Sequence, residues 1–300
     1  MTNNIHIVFA GLARDCEEEL VANISFLQEL IKFNLNKLDI SVFILENDSV
    51  DNTKDIIKTL ENEECFKIFT LHGLDLIIDN RIERITYCRN YLLKQISLEF
   101  NTSNSELILI PLDLDIDLFS LTTIEFFDQL LRSFLIDTEM DAVFPNSIPY
   151  YYDIHALRAK NWNNIDSWSR VDKISKFIPV GKFFIRYLLI YKKQFKIPLS
   201  NENIKISSAF GGMGLYKLTS NKLKRTLYQT DKLGKICEHV EFNKNFKNLF
   251  ILPNWAIEAP KLHLEFKLKT FTERIIYIFL SLSSDLKNFF SYIIKMQKYK

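Results

Sequence analysis

Leu107–Asp117, LILIPLDLDID, is the stretch on which the reading of the whole chain turns. An uncharged run that closes on acids spaced two apart reads as a buried strand carrying carboxylates to its exit. Side chains alternate along a strand, so Asp113, Asp115 and Asp117 share a face for as long as the extended conformation persists. Carboxylates so placed attract a hard divalent cation, and a cation held there neutralises a diphosphate leaving group. The expectation is a nucleotide-sugar site, with glycosyl transfer as its chemistry. The same residues also read as a polar strand end followed by a helix cap.

Working outward from this strand, the pattern alternates. Ile5–Ala10 reads as a first strand, followed by the turn Gly11-Leu12-Ala13-Arg14-Asp15 and a helix over 17–34. Ile40–Leu45 reads as a second strand, closed by Glu46-Asn47-Asp48-Ser49 and a helix over 54–62, where short polar side chains turn and cap the chain. Strand Phe66–Leu71 and a helix over 81–98 complete the run up to the acidic strand. Such alternation predicts an α/β fold, a single mainly parallel sheet flanked by helices, with ligands at the carboxyl ends of its strands. Arg14, Asp48 and the acids all fall there. Further on, a helix is expected over 121–135 and a strand over Asp141–Phe144. Ser207–Lys217 reads as a strand broken by a close backbone approach, and Lys235–Phe242, KICEHVEF, brings a possible metal ligand and base together.

The 300 residues, 47% hydrophobic and 25% charged, are enough for a substantial core. A net charge of +1 makes no general electrostatic case for nucleic acid as a partner. The four cysteines show no metal spacing, and the N-terminal stretch MTNNIHIVFAG shows no basic segment followed by an apolar core, which is read as a cytoplasmic setting. Only 7 glycines occur, so Gly211 and Gly212, adjacent in SAFGG, are expected to answer a backbone need.

Taken in order, RIERI at 81–85, Cys88-Arg89-Asn90, DLD at 113–115, YYDIHALR at 151–158, SAFGG at 208–212 and CEHVEF at 237–242 resemble the capsule and lipopolysaccharide glycosyltransferases of GT-A fold. That family is related to the fungal capsule alpha-1,3-mannosyltransferase group, and the resemblance spans about residues 5 to 255. It implies that Asp113 and Asp115 bridge Mn2+ or Mg2+ to the donor diphosphate, with His239 as a later metal ligand. It also implies that Arg89-Asn90 matches the family's Arg-Asn pattern.

Beside the resemblance stand the residues' own chemistries. Gly11, Ala13 and Arg14 lie where a base or phosphate would rest, and Glu46 and Asp48 where a base or ribose would donate. Arg84 and Arg89 are about 140° apart on one helix, so they are not expected to face one ligand together. Tyr152, Asp153 and Arg158, with Gly211 and Gly212, are expected to meet the sugar or the acceptor, Asp153 and Arg158 binding either sugar hydroxyls or each other. An inverting reaction needs a carboxylate base, for which Glu238 and Asp153 are the choices; a retaining reaction needs none. Were 235–242 a regular strand, Glu238 and His239 would face opposite ways.

Residues 1–260 are expected to form the GT-A domain and 261–300 a basic amphipathic tail. The tail holds eight Lys or Arg against three acids, as befits helices lying on an anionic membrane at the inner face of the cytoplasmic membrane. The function expected is metal-dependent transfer from a nucleoside-diphosphate-sugar to a hydroxyl of a glycan or glycolipid at the cell surface. Two competing readings are an inactive membrane-associated scaffold and a phosphohydrolase using Asp113 as nucleophile and Asp115 as acid or base.

Overall fold

In the computed structural model, residues 5–35, 37–100, 105–177 and 181–298 are described, with side chains except at 176–177, 265 and 288–298. The charges expected on Lys295, Lys298 and Lys300 therefore lie outside the described side chains, as do residues 1–4 of the N-terminal stretch. Eight strands form one sheet: β1 (Ile5–Ala13), β2 (Asp39–Asn47), β3 (Phe66–Leu71), β4 (Glu106–Asp113), β5 (Ala142–Ile148), β6 (Ile204–Ile206), β7 (Leu215–Thr219) and β8 (Leu249–Glu258), in the order β3-β2-β1-β4-β7-β5-β8-β6. The first half is parallel, as expected, with β1 paired to both β2 and β4. β7 then enters antiparallel between β4 and β5, and β6 closes the far edge antiparallel to β8.

The helices are α1 (Glu17–Phe33), α2 (Thr53–Lys58), α3 (Leu74–Ile77), α4 (Arg81–Glu99), α5 (Ile124–Ile136), α6 (Ser167–Phe177), α7 (Lys182–Leu189), α8 (Ser220–Leu223), α9 (Glu238–Asn243), α10 (Glu265–Leu268) and α11 (Phe271–Lys298). Period-2 alternation divides the core. Ile7 and Phe9 of β1, with Ile108 and Ile110 of β4, meet α1 and α5 on one face. Val8 and Ala10, with Leu107 and Leu109, meet Cys88, Leu92 and Leu93 of α4 on the other. A strand covered on both faces needs apolar residues at every position, which is why LILIPL carries no polar alternation.

Two expectations are corrected and one condition is not met. Ser207–Lys217 is not one strand: β6 ends at Ile206, a loop carries Gly211 and Gly212, and β7 begins at Leu215. Residues 235–242 do not form a regular strand, since Glu238 opens α9. The extended conformation ends at Asp113 and the chain turns at Leu114 and Asp115, so the three acids do not line up on one face. Leu114 is instead buried, its N–H donating to Leu12 O.

Candidate active site

The strand order reverses between β1 and β4, and in such sheets the crevice lies outside the carboxyl ends at that point. Ala13 and Asp113 end these two strands. Gly11 stands beside Leu12 in β1, and a Cβ there would approach Leu114 Cδ1 to 2.6 Å, so its bare backbone admits the turn that follows Asp113.

At the crevice a buried guanidinium joins two carboxylates. Arg89 Nη2 donates to Asp113 Oδ1 at 2.5 Å and Arg89 Nε donates to Glu238 Oε1 at 3.0 Å. The Arg89 side chain is 3% exposed and Glu238 6%, whereas Asp113 is 31% exposed and opens to the crevice. The guanidinium carbon sits 4.8 Å from the Phe210 ring centre and 5.5 Å from that of Tyr228, so aromatic faces complete its solvation. Burial works against the Arg89 charge, but Asp113 and Glu238 outweigh it, holding the guanidinium pKa above its ordinary value. Burial pushes the Asp113 carboxyl up to about 7 against the pull of Arg89, with the charges of Asp115 and Glu238 adding to the rise. Asp115 is exposed in the turn. Asp117 turns away from this cluster and its Oδ1 accepts from Ser120 N at 3.2 Å.

A second ionic cluster lies at the ends of β1 and β2. Arg14 donates from Nη1 and Nη2 to the two oxygens of Asp75 at 2.7 and 2.5 Å, and Arg84 Nε lies 3.1 Å from Asp75 Oδ1. Asp48, at φ +52°, accepts from Gly73 N at 2.6 Å and Asp75 N at 3.3 Å, pinning the start of α3, which carries Asp75. The hydrogen bonds from Arg14 hold the Asp75 carboxyl below its usual range. Arg84 also donates to the carbonyls of Ile78 and Asp79, while Arg89 points into the core, so the two arginines go to different clusters as their helical spacing predicted. Glu46 is 1% exposed and accepts from Ser49 N, which makes it a turn anchor; Ala13 is equally buried. Asn90 clamps the backbone of Tyr228, donating to its O and accepting from its N, both at 2.9 Å.

Asp153 accepts from Ala156 N at 3.1 Å and Gly211 N at 2.9 Å. Gly211 and Gly212 take φ of +68° and +89°, and a Cβ at Gly212 would meet Leu118 at 2.9 Å and the Tyr152 hydroxyl at 3.5 Å. Gly212 O accepts from Asp113 N at 2.8 Å, so this loop braces the acidic strand end. Tyr152 stacks on His263, ring centres 5.3 Å apart. Arg158 does not pair with Asp153: Nη2 lies 3.9 Å from Asp166 and Nη1 donates to main-chain carbonyls.

Because 238–243 is helical, Glu238 and His239 are both buried beside Arg89. The His239 ring stacks on Phe210 at 3.5 Å and lies edge-on to Tyr228, and neither ring nitrogen has a hydrogen-bond partner among the described residues. Burial, with Arg89 and His155, holds His239 neutral, its pKa well below the ordinary value. Among the described residues no three His, Cys, Asp or Glu side chains converge on one point, so Asp113, Asp115 and His239 are not brought together as a metal-binding trio. Residues absent from the expectation also border the crevice. Exposed Arg81, in the first turn of α4, is close enough to pull the Asp113 carboxyl down. Phe210 and Tyr228, both buried, wall the Arg89 guanidinium, and His263 backs Tyr152. Arg81 shares a helix with Arg84 and Arg89 and was visible as a third cation there; the aromatics carried no signal distinguishing them from core.

Comparison with known proteins gives no family model that matches and no curated protein that matches. Solved structures with similarity to this chain include S. aureus TarS 1–349, at 12% identity and TM-score 0.44 over 87% of this chain and 62% of that one. The same protein in complex with UDP-GlcNAc gives 12% identity and TM-score 0.42, over 85% and 59%. Glucosyl-3-phosphoglycerate synthase from Mycobacterium tuberculosis, in complex with Mn2+, UDP and phosphoglyceric acid, gives 12% and TM-score 0.37, over 94% and 78%. The chain thus spans less than two thirds of the length of the TarS structure.

Proposed function

We propose that this chain is a glycosyltransferase that moves a sugar from a nucleoside-diphosphate-sugar to a hydroxyl of a cell-surface glycan or glycolipid, of the capsule or lipopolysaccharide kind, in a cytoplasmic setting. The observation that carries the reading is Asp113 at the strand exit of the switch point, held by buried Arg89 and followed by exposed Asp115. Asp113, Asp115 and Glu238 against the two charges of Arg89 and Arg81 still leave the crevice formally anionic by one charge, an attractive setting for a cation.

The donor set fits a hard divalent ion in one form. Two carboxylates at a turn are too few for an all-protein cage, but Mg2+ and Mn2+ are commonly held by one or two carboxylates together with substrate phosphates. Asp113 and Asp115 would hold it, and when bound it would neutralise charge on the departing diphosphate. Arg89 sets the orientation of Asp113 by taking one of its oxygens. Exposed Arg81 is placed to meet a phosphate, and Tyr152 and Gly212 pack behind the acidic turn and shape the wall that a sugar or acceptor would meet. Glu238 is committed to Arg89 and nearly sealed from the crevice, which favours a retaining course over one with Glu238 as base. Asp153, held by two main-chain N–H groups, is the carboxylate to test should the reaction invert.

A thermal-shift panel of UDP, GDP, CMP and ADP, with and without Mn2+, tests the reading, since a ligand that binds only the native state raises its apparent stability. UDP heads the panel as the nucleotide of the neighbours' complexes. A metal-dependent rise for one nucleotide is expected; none for any would overturn the nucleotide-sugar reading.

A further inference from the structure

Helix α11 leaves a broad apolar face uncovered. Its partly covered residues include Arg274, Tyr277, Ile278, Ser281, Leu282 and Asp285. Those toward solvent are apolar: Phe271, Ile275, Ile276, Phe279 and Leu280, with Phe271 79%, Phe279 71% and Leu280 62% exposed. At 100° per residue these five fall within about half the helix circumference, a continuous outward stripe. The neighbouring α7 adds Phe184 and Leu188, 51% and 57% exposed. The two helices are locked together. Asp285 Oδ2 accepts from Gly181 N at 3.1 Å and Lys182 N at 2.9 Å, and Phe183 of α7 packs against Phe266 and Tyr277.

Charge says what covers this face. Residues 261–300 carry eight Lys or Arg against three acids, and 182–193 carry four against none, a formal excess of nine in a chain that nets only +1. The remainder of the chain is correspondingly acidic. Two of the three acids are engaged locally: Glu273 accepts from Thr270 at the start of α11, and Asp285 caps α7. A second copy of this chain, with the same excess of positive charge along these segments, would meet like charge, whereas an anionic bilayer offers counter-charge and an apolar interior together. No described helix is long and apolar enough to cross a membrane, so the contact is along the surface. At 1.5 Å per residue the 28 residues of α11 extend about 42 Å.

We propose that α7 and the outward stripe of α11 form one docking face for an anionic lipid bilayer. Docking stands independently of glycosyl transfer. Only its corollary rests on that reading: the segment Lys261–Leu268 joins α11 to His263, which stacks on Tyr152, so the acceptor is a membrane-borne glycan reached from the docked side.

Flotation of the full chain with phosphatidylcholine vesicles, and with vesicles in which a third of the lipid is phosphatidylglycerol, tests the docking. The wild type is expected to float with the anionic vesicles only, and less so as salt is raised. Phe279→Asp with Leu280→Asp is expected to weaken that binding by about tenfold or more while leaving the melting temperature unchanged. Absence of wild-type binding to anionic vesicles needs no variant to interpret and overturns the proposal. So does equal binding to neutral vesicles, equal binding by the double variant, or a dimer by light scattering that the same substitutions dissolve. A nucleotide panel without shifts would sink the transferase reading and leave the vesicle result standing.

Discussion

Two arginine clusters border the same crevice, and they are built on opposite plans. Arg89 is sealed between Asp113, Glu238 and aromatic rings, and every one of its partners lies on a helix, a strand or a packed ring. Arg14 is a third exposed, and its partner Asp75, 38% exposed, lies in the four-residue α3, whose start is held by Asp48. A buried ion held by packed elements has one arrangement; an exposed ion pair is screened by solvent and salt and contributes less. The contrast makes the Arg89 cluster part of the packed frame and the Arg14 cluster a surface pair at its edge.

The largest effect expected from this contrast is in the frame. Arg89→Leu leaves Asp113 and Glu238 facing each other without a counter-charge, and should cost about 3–5 kcal/mol in urea unfolding, as breaking buried ion pairs does. A loss no larger than that of Arg14→Leu would erase the distinction between the clusters. Next comes Asp115→Asn, which touches neither cluster's packing. It should leave the melting temperature in place and lower metal-dependent turnover about a hundredfold, on the scale of removing one electrostatic stabiliser of a developing charge. Turnover equal to wild type would remove Asp115 from the metal site. The smallest effect belongs to pH at the outer cluster. The Asp75 carboxyl is held below its usual range, so its contribution is present above the ordinary carboxylate pKa of about 3.9 and is lost as pH falls through the lower folded value. Unfolding midpoints of the wild type and Asp75→Asn should therefore draw together under acid, by a small margin that salt reduces further. A difference that grows toward low pH would reverse the sign assigned here.

Much of the frame could be read from residues alone, because local periodicity wrote it. The continuous run at 107–112, the short polar turns after β1 and β2, and the apolar spacing of α1 and α4 each follow from burial on one or both faces. What escaped reading depended on distant partners. Glu238, His239, Phe242 and Asn243 are all buried, the i, i+1, i+4, i+5 pattern of a helix face, but the 6 residues of α9 are too few for that period to stand out in the sequence. Arg14 and Arg84 looked like ligand groups because Asp75, 61 residues from Arg14, showed no sign of lying between them. Likewise, nothing local announced that 207–214 would loop over and brace Asp113 from the antiparallel side.

That brace and the Arg89 cluster also set an order of events during synthesis. Arg89 and Asp113 are 24 residues apart and leave the ribosome almost together, whereas Glu238 is 149 residues from Arg89 and follows only after Gly212. A nascent chain thus carries the acidic turn long before its supports exist. The crevice matures as a late checkpoint of translation, and a ribosome that stops short of residue 238 releases a motif with no frame.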